Sequence, residues 1–255
     1  METLKRQSDI IELLKTKKHM TVIELAEALY IGAASIRRDL VKLEKLGYVK
    51  RTHGGVTLIS GLDSEIPLYV REETMTDEKK IIAKFALKLI KNRDILVLDS
   101  SSTTYQLAQL LHGSLNARIV TNGAKTAILL GEKNIPVFST GGQLREFSYS
   151  FIGDMAKAFL QNFHCNTLFF SCRYVSSDFV LYDSSEHEAE LRKAMIQICD
   201  KVVLLCDSSK INGKSFYKIC DCSKIDYLVT DKKPPEKILS GITDMGCNVI
   251  YDETI

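Results

Sequence analysis

A chain of 255 residues, 45% hydrophobic and 26% charged, has an ordinary globular composition and the length for one large domain with a small companion. No apolar run approaches the roughly 18 residues that a membrane span needs, and Met1-Glu2-Thr3-Leu4-Lys5-Arg6 lacks the apolar core of a signal peptide, so a cytoplasmic protein without a membrane partner is expected. Net charge is only +2, yet residues 1–60 hold eleven Lys/Arg against seven Asp/Glu while the remaining 195 hold 23 against 25; a basic head on a mildly acidic body suits a head that binds nucleic acid.

In the head, Ile10, Ile11 and Leu14 recur at helical spacing in a first helix over residues 4–16. Thr21-Val22-Ile23-Glu24 reads as a capping box that opens a second helix, with Val22, Leu25, Ala26 and Leu29 on one face. Tyr30-Ile31-Gly32 breaks the pattern, Gly32 can cap a third helix over residues 33–45, and Gly47 supplies the stop. At about 100° per residue, Ile36, Leu40 and Leu43 share the apolar face of that third helix. Ala34, Arg38, Val41 and Lys45 lie opposite, with Ser35 and Lys42 on one flank and Arg37 on the other. Ala34, Ser35 and Arg38 are therefore expected to face bases, and Arg37, Lys42 and Lys45 to hold phosphates. Asp39 sits nearer the buried edge, in a structural role, with Lys42 as a possible partner. Residues 48–58 read as a hairpin about Gly54-Gly55, a wing placing Arg51, Thr52, His53 and Gly54 at the sugar-phosphate backbone or minor groove. Helix, helix, helix and basic wing together make a winged helix-turn-helix.

A polar stretch with Gly61 and Pro67 reads as a linker, dividing the chain into residues 1–58, 59–75 and 76–255. In the body, apolar strands at 95–98, 118–121, 135–138, 167–170, 202–206, 227–229 and 248–251 alternate with helices at about 81–89, 105–111, 124–130, 155–162 and 186–199. That alternation predicts a mostly parallel α/β sheet covered on both faces, in which ligands bind outside the carboxyl ends of strands. Those ends are polar: Asp99-Ser100-Ser101-Ser102-Thr103-Thr104, then Thr121-Asn122-Gly123, Ser139-Thr140-Gly141-Gly142, and Cys206-Asp207-Ser208-Ser209-Lys210. Hydroxyls and amides at a helix start suit a phosphate; together with the lysine they favour a small anionic, polyhydroxyl ligand over simple helix capping. The seven cysteines all follow residue 160 and form no Cys-x-x-Cys pair, which reads as reduced core thiols. Glu186-His187-Glu188 are consecutive on a helix and point apart, so neither a metal site nor a cofactor is expected.

On Ser35-Ile36-Arg37-Arg38-Asp39-Leu40 and Arg51-Thr52-His53-Gly54-Gly55 the head resembles DeoR-family transcriptional regulators. The family usually has Thr where Ser35 stands and Ser where Gly32 stands. The resemblance continues through residues 99–104, Thr121-Asn122, Gly141-Gly142, Glu188-Ala189-Glu190-Leu191, 207–210 and 226–231, so it covers almost the whole chain. It implies an effector-sensing and oligomerisation body similar to ribose-5-phosphate isomerase and CoA-transferase-like sheets. It also implies a phosphorylated-sugar effector at Asp99, Ser100, Ser101, Ser102, Thr103, Thr104, Thr121, Asn122, Gly141, Gly142, Arg173, Glu188 and Lys210. Three positions depart from the pattern: Ser101 stands where Gly is frequent, Ser171-Cys172-Arg173-Tyr174 replaces a Gly-Ala-Asp-Gly-like run, and Arg192 replaces a common Lys. Isomerases move a proton with carboxylates and a lysine; Arg173 in place of the acidic residue removes one such group and Arg192 stays protonated, so no catalytic residue is expected.

The expected function is a transcriptional regulator, a repressor of a sugar-use operon, with double-stranded operator DNA and a phosphorylated sugar as partners. A homodimer or homotetramer is expected because two half-sites multiply affinity. Two other readings stand beside it: a sugar-phosphate isomerase or transferase with an appended head, and a regulator whose body senses nothing because Tyr174 fills its pocket.

Overall fold

The computed structural model describes residues 2–45, 48–52, 54–58 and 66–253, with the side chains of residues 2–5, 8, 15 and 45 outside the description. Chain contacts divide it into Met1–Thr74 and Met75–Ile255.

The first unit contains α1 (Glu2–Lys17), β1 (His19–Met20), α2 (Val22–Leu29), α3 (Ala33–Lys45), β2 (Val49–Thr52), β3 (Gly55–Leu58) and α4 (Leu68–Glu73). Ile10, Ile11, Leu14, Leu25, Ile36, Leu40 and Leu43 are all buried, so the helical periodicities converge on one small core. The capping box of α2 is complete: Thr21 N–H donates to Glu24 Oε2 at 2.6 Å and Glu24 N–H donates to Thr21 Oγ1 at 3.1 Å. Tyr30 ends α2 in the left-handed region (φ 55°), and the Gly32 carbonyl accepts the first amides of α3, from Ser35 at 2.9 Å and Ile36 at 3.3 Å. The wing is a three-stranded antiparallel sheet, β1-β3-β2, with Thr52 opposite Gly55. Gly55 therefore begins β3 rather than lying in the turn. A Cβ on it would lie 2.6 Å from the Met20 carbonyl oxygen and 2.8 Å from the His19 ring, which is why the strand starts with glycine.

Two expectations are corrected here. Residues 68–73, taken as linker, form α4, which packs on α1; Tyr69 donates to Gln7 Oε1 at 3.1 Å, and Leu68 and Val70 are buried. The partner of Asp39 is not Lys42. Its carboxylate is 1% exposed and accepts from Arg6 Nε and, at 3.1 Å, from Gln7 Nε2, so it ties α3 to α1. The expected helix stop at Gly47 lies outside the described residues.

The second unit opens with α5 (Thr76–Leu87). Its central sheet is made of β4 (Ile95–Leu98), β5 (Arg118–Thr121), β6 (Val137–Ser139), β9 (Cys165–Phe170), β12 (Cys199–Leu205), β14 (Tyr227–Lys232) and β15 (Asn248–Asp252). These are the seven strands read from the sequence; they pair entirely in parallel in the order β15-β14-β12-β9-β4-β5-β6. Helices α6 (Ser102–Leu110), α7 (Ala124–Glu132), α8 (Asp154–Leu160), α9 (Glu186–Gln197) and α10 (Glu236–Asp244) connect them. Alternate residues of one strand join different cores. Val97, Val120, Leu168 and Leu204 lie in one cluster and Leu96, Ile119, Phe169 and Val203 in the other, as a sheet covered on both faces requires. Two small sheets lie apart: β7 (Gln143–Leu144) with β8 (Phe151–Ile152), and β10 (Tyr174–Val175), β11 (Val180–Asp183) and β13 (Tyr217–Asp221) in antiparallel order. Among the described residues no helix is long and apolar enough to cross a membrane.

Candidate functional site

On α3 the burial of Ile36, Leu40 and Leu43 turns the opposite side outward, and Ala34, Arg37, Arg38 and Lys42 are exposed. Arg38 lies along the same strip as Ala34 and Ser35: its Nη2 donates to Ser35 Oγ at 3.2 Å and its Nε to the Ala34 carbonyl at 3.4 Å. Arg37 faces elsewhere, into an open groove shared with Thr21, Ile23, Glu44, Arg51, Thr52 and Gly54. The first turn of α2, the recognition-position helix and the wing thus meet at one place. Sequence reasoning missed a polar tie within it. Arg51 donates from its backbone N–H to Glu44 Oε1 at 2.9 Å and from Nε to Oε2 at 2.7 Å. The Arg51 amide, then its side chain, hold the Glu44 carboxyl below its ordinary value. Thr52 is exposed and donates to the Gly55 carbonyl at 3.3 Å. His53 and the Lys45 side chain lie outside the described residues.

In the body, the chain lays β5 and β6 on one side of β4 and then returns to place β9 on its other side. The reversal between β4 and β9 is the topological switch point where a parallel sheet opens a crevice at its carboxyl end. Asp99 follows β4 there and has both oxygens engaged within the protein. Oδ1 accepts from Ser101 N–H at 3.0 Å and Thr104 Oγ1 at 2.7 Å; Oδ2 accepts from Ser171 N–H at 3.2 Å and Arg192 Nε at 3.0 Å. Ser101 caps α6 by accepting from Thr104 N–H at 3.2 Å. Ser102 and Thr103 are buried in the first turn of α6, and their amides meet no protein acceptor among the described residues. That leaves two oriented N–H groups at the positive end of a helix, the arrangement that receives an anion.

Around this turn lie the other strand ends. Thr121 Oγ1 accepts from Gly123 N–H at 3.0 Å, and a Cβ on Gly123 would lie 3.2 Å from Ser100 Cα, so the β5 end sits tightly against the β4 end. Asn122 donates to the Phe151 carbonyl at 3.3 Å, while its Oδ1 and the Thr103 Oγ1 are buried without a hydrogen-bond partner. Gly141 and Gly142 both have positive φ, and a Cβ on Gly142 would lie 2.6 Å from the Ile152 carbonyl oxygen. Lys210 donates to Ser171 Oγ at 3.0 Å and pairs with Asp207 at 3.3 Å. Burial opposes the Lys210 charge, but Asp207, with Cys206 and Cys172 adding to it, holds the pKa above the ordinary lysine value. Glu188 accepts from Ser150 Oγ, and from Ser100 Oγ at 3.5 Å.

Arg173 is not drawn into this cluster. Its guanidinium stacks 5.2 Å from the Tyr174 ring centroid, its amide donates to the Tyr182 carbonyl, and no hydrogen bond or ion pair joins it to Asp99, Ser100 or Lys210. Tyr174 itself packs on Gly213, where a Cβ would lie 2.3 Å from its Cδ1. Arg192, singled out in the sequence only as a departure, is the hub of the floor: it pairs with Asp183 at 2.6 Å, Asp99 at 3.0 Å and Glu188 at 3.7 Å. Burial works against its charge, yet Asp183, Asp99 and Glu188 hold its pKa above the ordinary value. Spacing could have shown Glu188 to Arg192, at i and i+4 on α9; nothing local announces Asp183, or Arg145 and Ser150 of the β7–β8 segment. Among the described residues no group of three or more His, Cys, Asp or Glu converges as metal ligands would.

A family model described as the DeoR-like helix-turn-helix domain matches residues 6–61, and one described as the DeoR C terminal sensor domain matches residues 74–232. The chain belongs to the DeoR family. An uncharacterized HTH-type transcriptional regulator, YulB of Bacillus subtilis, is 38% identical over 100% of this chain and 96% of its own. The glycerol-3-phosphate regulon repressor of Escherichia coli is 30% identical over 96% of this chain and 97% of its own. Among solved structures, ribose 5-phosphate isomerase A of Methanocaldococcus jannaschii aligns over 54% of this chain and 55% of its own, with 17% identity and a TM-score of 0.42. Within this DeoR-family chain the helix-turn-helix match spans the groove of α3 and the wing, and the sensor match spans the switch point.

Proposed function

We propose that this chain is a DNA-binding transcriptional repressor of a carbohydrate-use operon, and that a phosphorylated sugar bound at the switch point of its body changes its operator affinity. The observation that carries the effector reading is the buried first turn of α6, where the Ser102 and Thr103 amides converge on the mouth of a parallel sheet without a protein acceptor. A phosphate matches them in charge and geometry. Lys210 supplies a cation nearby, and a relative of comparable length is named for a glycerol-3-phosphate regulon.

On DNA, Arg38 with Ser35 and Ala34 reads base edges, and Arg37, Lys42, Lys45, Arg51, Thr52, His53 and Gly54 engage the backbone. The protein acts as a dimer or tetramer, because paired half-sites multiply affinity, and the ligand biases the body between two arrangements. The reading is non-enzymatic: Arg192, where relatives commonly carry a lysine, is held among three carboxylates and stays protonated, so it offers no base there.

A gel shift on operator DNA with a panel of phosphorylated sugars tests the reading. At least one of them is expected to release or tighten the complex while its unphosphorylated counterpart does not. No response to any phosphorylated sugar refutes the sensing role, and turnover of a pentose or hexose phosphate refutes the non-enzymatic one.

A further inference from the structure

The effector reading leaves unused a cation beside the site. Arg145 follows β7, and its Nη1 donates to Ser185 Oγ at 2.9 Å and lies 3.6 Å from Glu188 Oε1, with the side chain 19% exposed. Glu188 does not depend on this partner alone, because Arg192 approaches it at 3.7 Å and Ser150 donates to it.

Arg145 rides on a segment built like a strap. The β7–β8 hairpin is bounded by Gly141 (φ 61°) and Gly142 (φ 100°) at its start and Gly153 (φ 91°) at its end, backbone states that glycine enters without a steric penalty. The hairpin lies over the β5 end: Phe151 N–H donates to the Asn122 carbonyl at 2.7 Å, Ala124 N–H to the Tyr149 carbonyl at 2.9 Å, and Gly123 bridges Ser150. Against it Asn122 keeps a buried Oδ1 with no partner, and the first turn of α6 holds a second such atom, Thr103 Oγ1. Buried polar atoms without partners are rare and costly. The amide of Asn122 cannot flip to relieve its oxygen, because the Nδ2 already serves the Phe151 carbonyl.

Resting on the phosphorylated-sugar reading, we infer that the β7–β8 hairpin is a hinged strap over the effector site and that Arg145 exchanges Glu188 for the effector's phosphate when the strap closes on it. The exchange replaces a 3.6 Å approach to a shared carboxylate with the bidentate geometry a guanidinium forms on a phosphate. The strap's opening exposes Asn122 Oδ1, an acceptor suited to a sugar hydroxyl. No bond forms or breaks; one ion pair replaces another.

The test is calorimetric titration of the full chain with glycerol 3-phosphate, ribose 5-phosphate and fructose 6-phosphate, each beside its unphosphorylated form. Arg145→Gln is expected to weaken the probe that wild type binds by about ten- to a hundredfold. Arg145→Lys, which keeps the charge, is expected to recover part of that loss. The loss is expected for the phosphorylated probe only, whereas a structural role alone would weaken its unphosphorylated form as well. Unchanged affinity in Arg145→Gln overturns the inference and leaves the effector reading standing; failure of wild type to bind any phosphorylated probe overturns the effector reading itself. Should Arg145→Gln not fold, amide exchange on wild type decides: the Ala124 and Phe151 amides are expected to slow on adding the bound probe, and unchanged exchange overturns the strap.

Discussion

Replacing Arg192 by Met tests how the floor of the effector site is held together. The guanidinium is 6% exposed and touches Asp99, Asp183 and Glu188, whose side chains are 1%, 10% and 5% exposed. Methionine keeps most of the volume but leaves three carboxylates without their shared cation. Breaking one partner from a buried pair costs about 3–5 kcal/mol, because the surviving charge is stranded in low dielectric. Arg145 and solvent at the mouth relieve Glu188 in part, so about 4 kcal/mol is expected rather than a multiple for three groups. Against a typical total of about 5–15 kcal/mol and a urea slope of about 2 kcal/mol per M, the unfolding midpoint should fall by about 2 M. Arg192→Lys keeps the charge but not the fork, loses about one charge-assisted hydrogen bond, and should fall between. Adding Asp183→Asn to Arg192→Met removes one stranded charge and should restore part of the loss, with a coupling above about 1 kcal/mol. Urea titrations followed by far-ultraviolet circular dichroism supply every value. An Arg192→Met midpoint within 0.5 M or so of wild type would refute the reasoning, since the cluster would then be neutral to the fold.

The remaining predictions concern the head and the Lys210–Asp207 pair. Arg38→Ala should weaken operator binding by about 1–3 kcal/mol and relax specificity at one position, whereas Arg37→Ala should weaken all sequences alike and lower the salt slope by about 1; fluorescence anisotropy over a salt series distinguishes them. Gly55→Ala drives a Cβ to 2.6 Å from the Met20 carbonyl oxygen and should destabilise the head by about 1–3 kcal/mol, read as a lower melting temperature. Lys210 has its pKa raised, so its share of stability is full below the ordinary 10.5 and is lost as pH climbs through the folded value; Asp207 has its pKa lowered, so its share is present above 3.8 and is lost as pH falls through the folded value. Stability measured against pH should therefore lose its alkaline step in Lys210→Met, and a profile identical to wild type would disprove the pairing.

The central sheet was legible because its inner strands are short continuous apolar runs buried on both faces, as in Leu96 to Leu98 and Val202 to Leu205. The recognition helix was legible for a related reason, since Ile36, Leu40 and Leu43 fix which side is left outside. The small sheet of β10, β11 and β13 gave no such signal. Its strands have two to five residues and pair across long separations, Tyr182 opposite Lys218 for example. Helix α10 was hidden by Ser240 and Gly241, although Ile238 and Ile242 bury one face; Gly241 is small because the Phe179 ring lies where a Cβ would stand. At the effector site, spacing marked the strand ends. It could not divide Ser101 and Thr104, which serve α6 and Asp99, from Ser102 and Thr103, whose amides remain open.

The bond between Arg51 and Glu44 bears on how the head would search DNA. A wing arginine already facing a carboxylate carries its own stand-in for a phosphate. Docking opens that bond and frees Glu44 to take up a cation, which offsets one of the counterions the DNA releases, so Arg51 adds less to the salt dependence of binding than an unpaired arginine would. That competition weakens specific and sequence-blind contacts by the same amount, because the same bond to Glu44 opens in both. On the proposed reading, the carboxylate at the end of α3 thereby shortens the stay on every site alike and leaves discrimination to the base contacts proposed for Arg38.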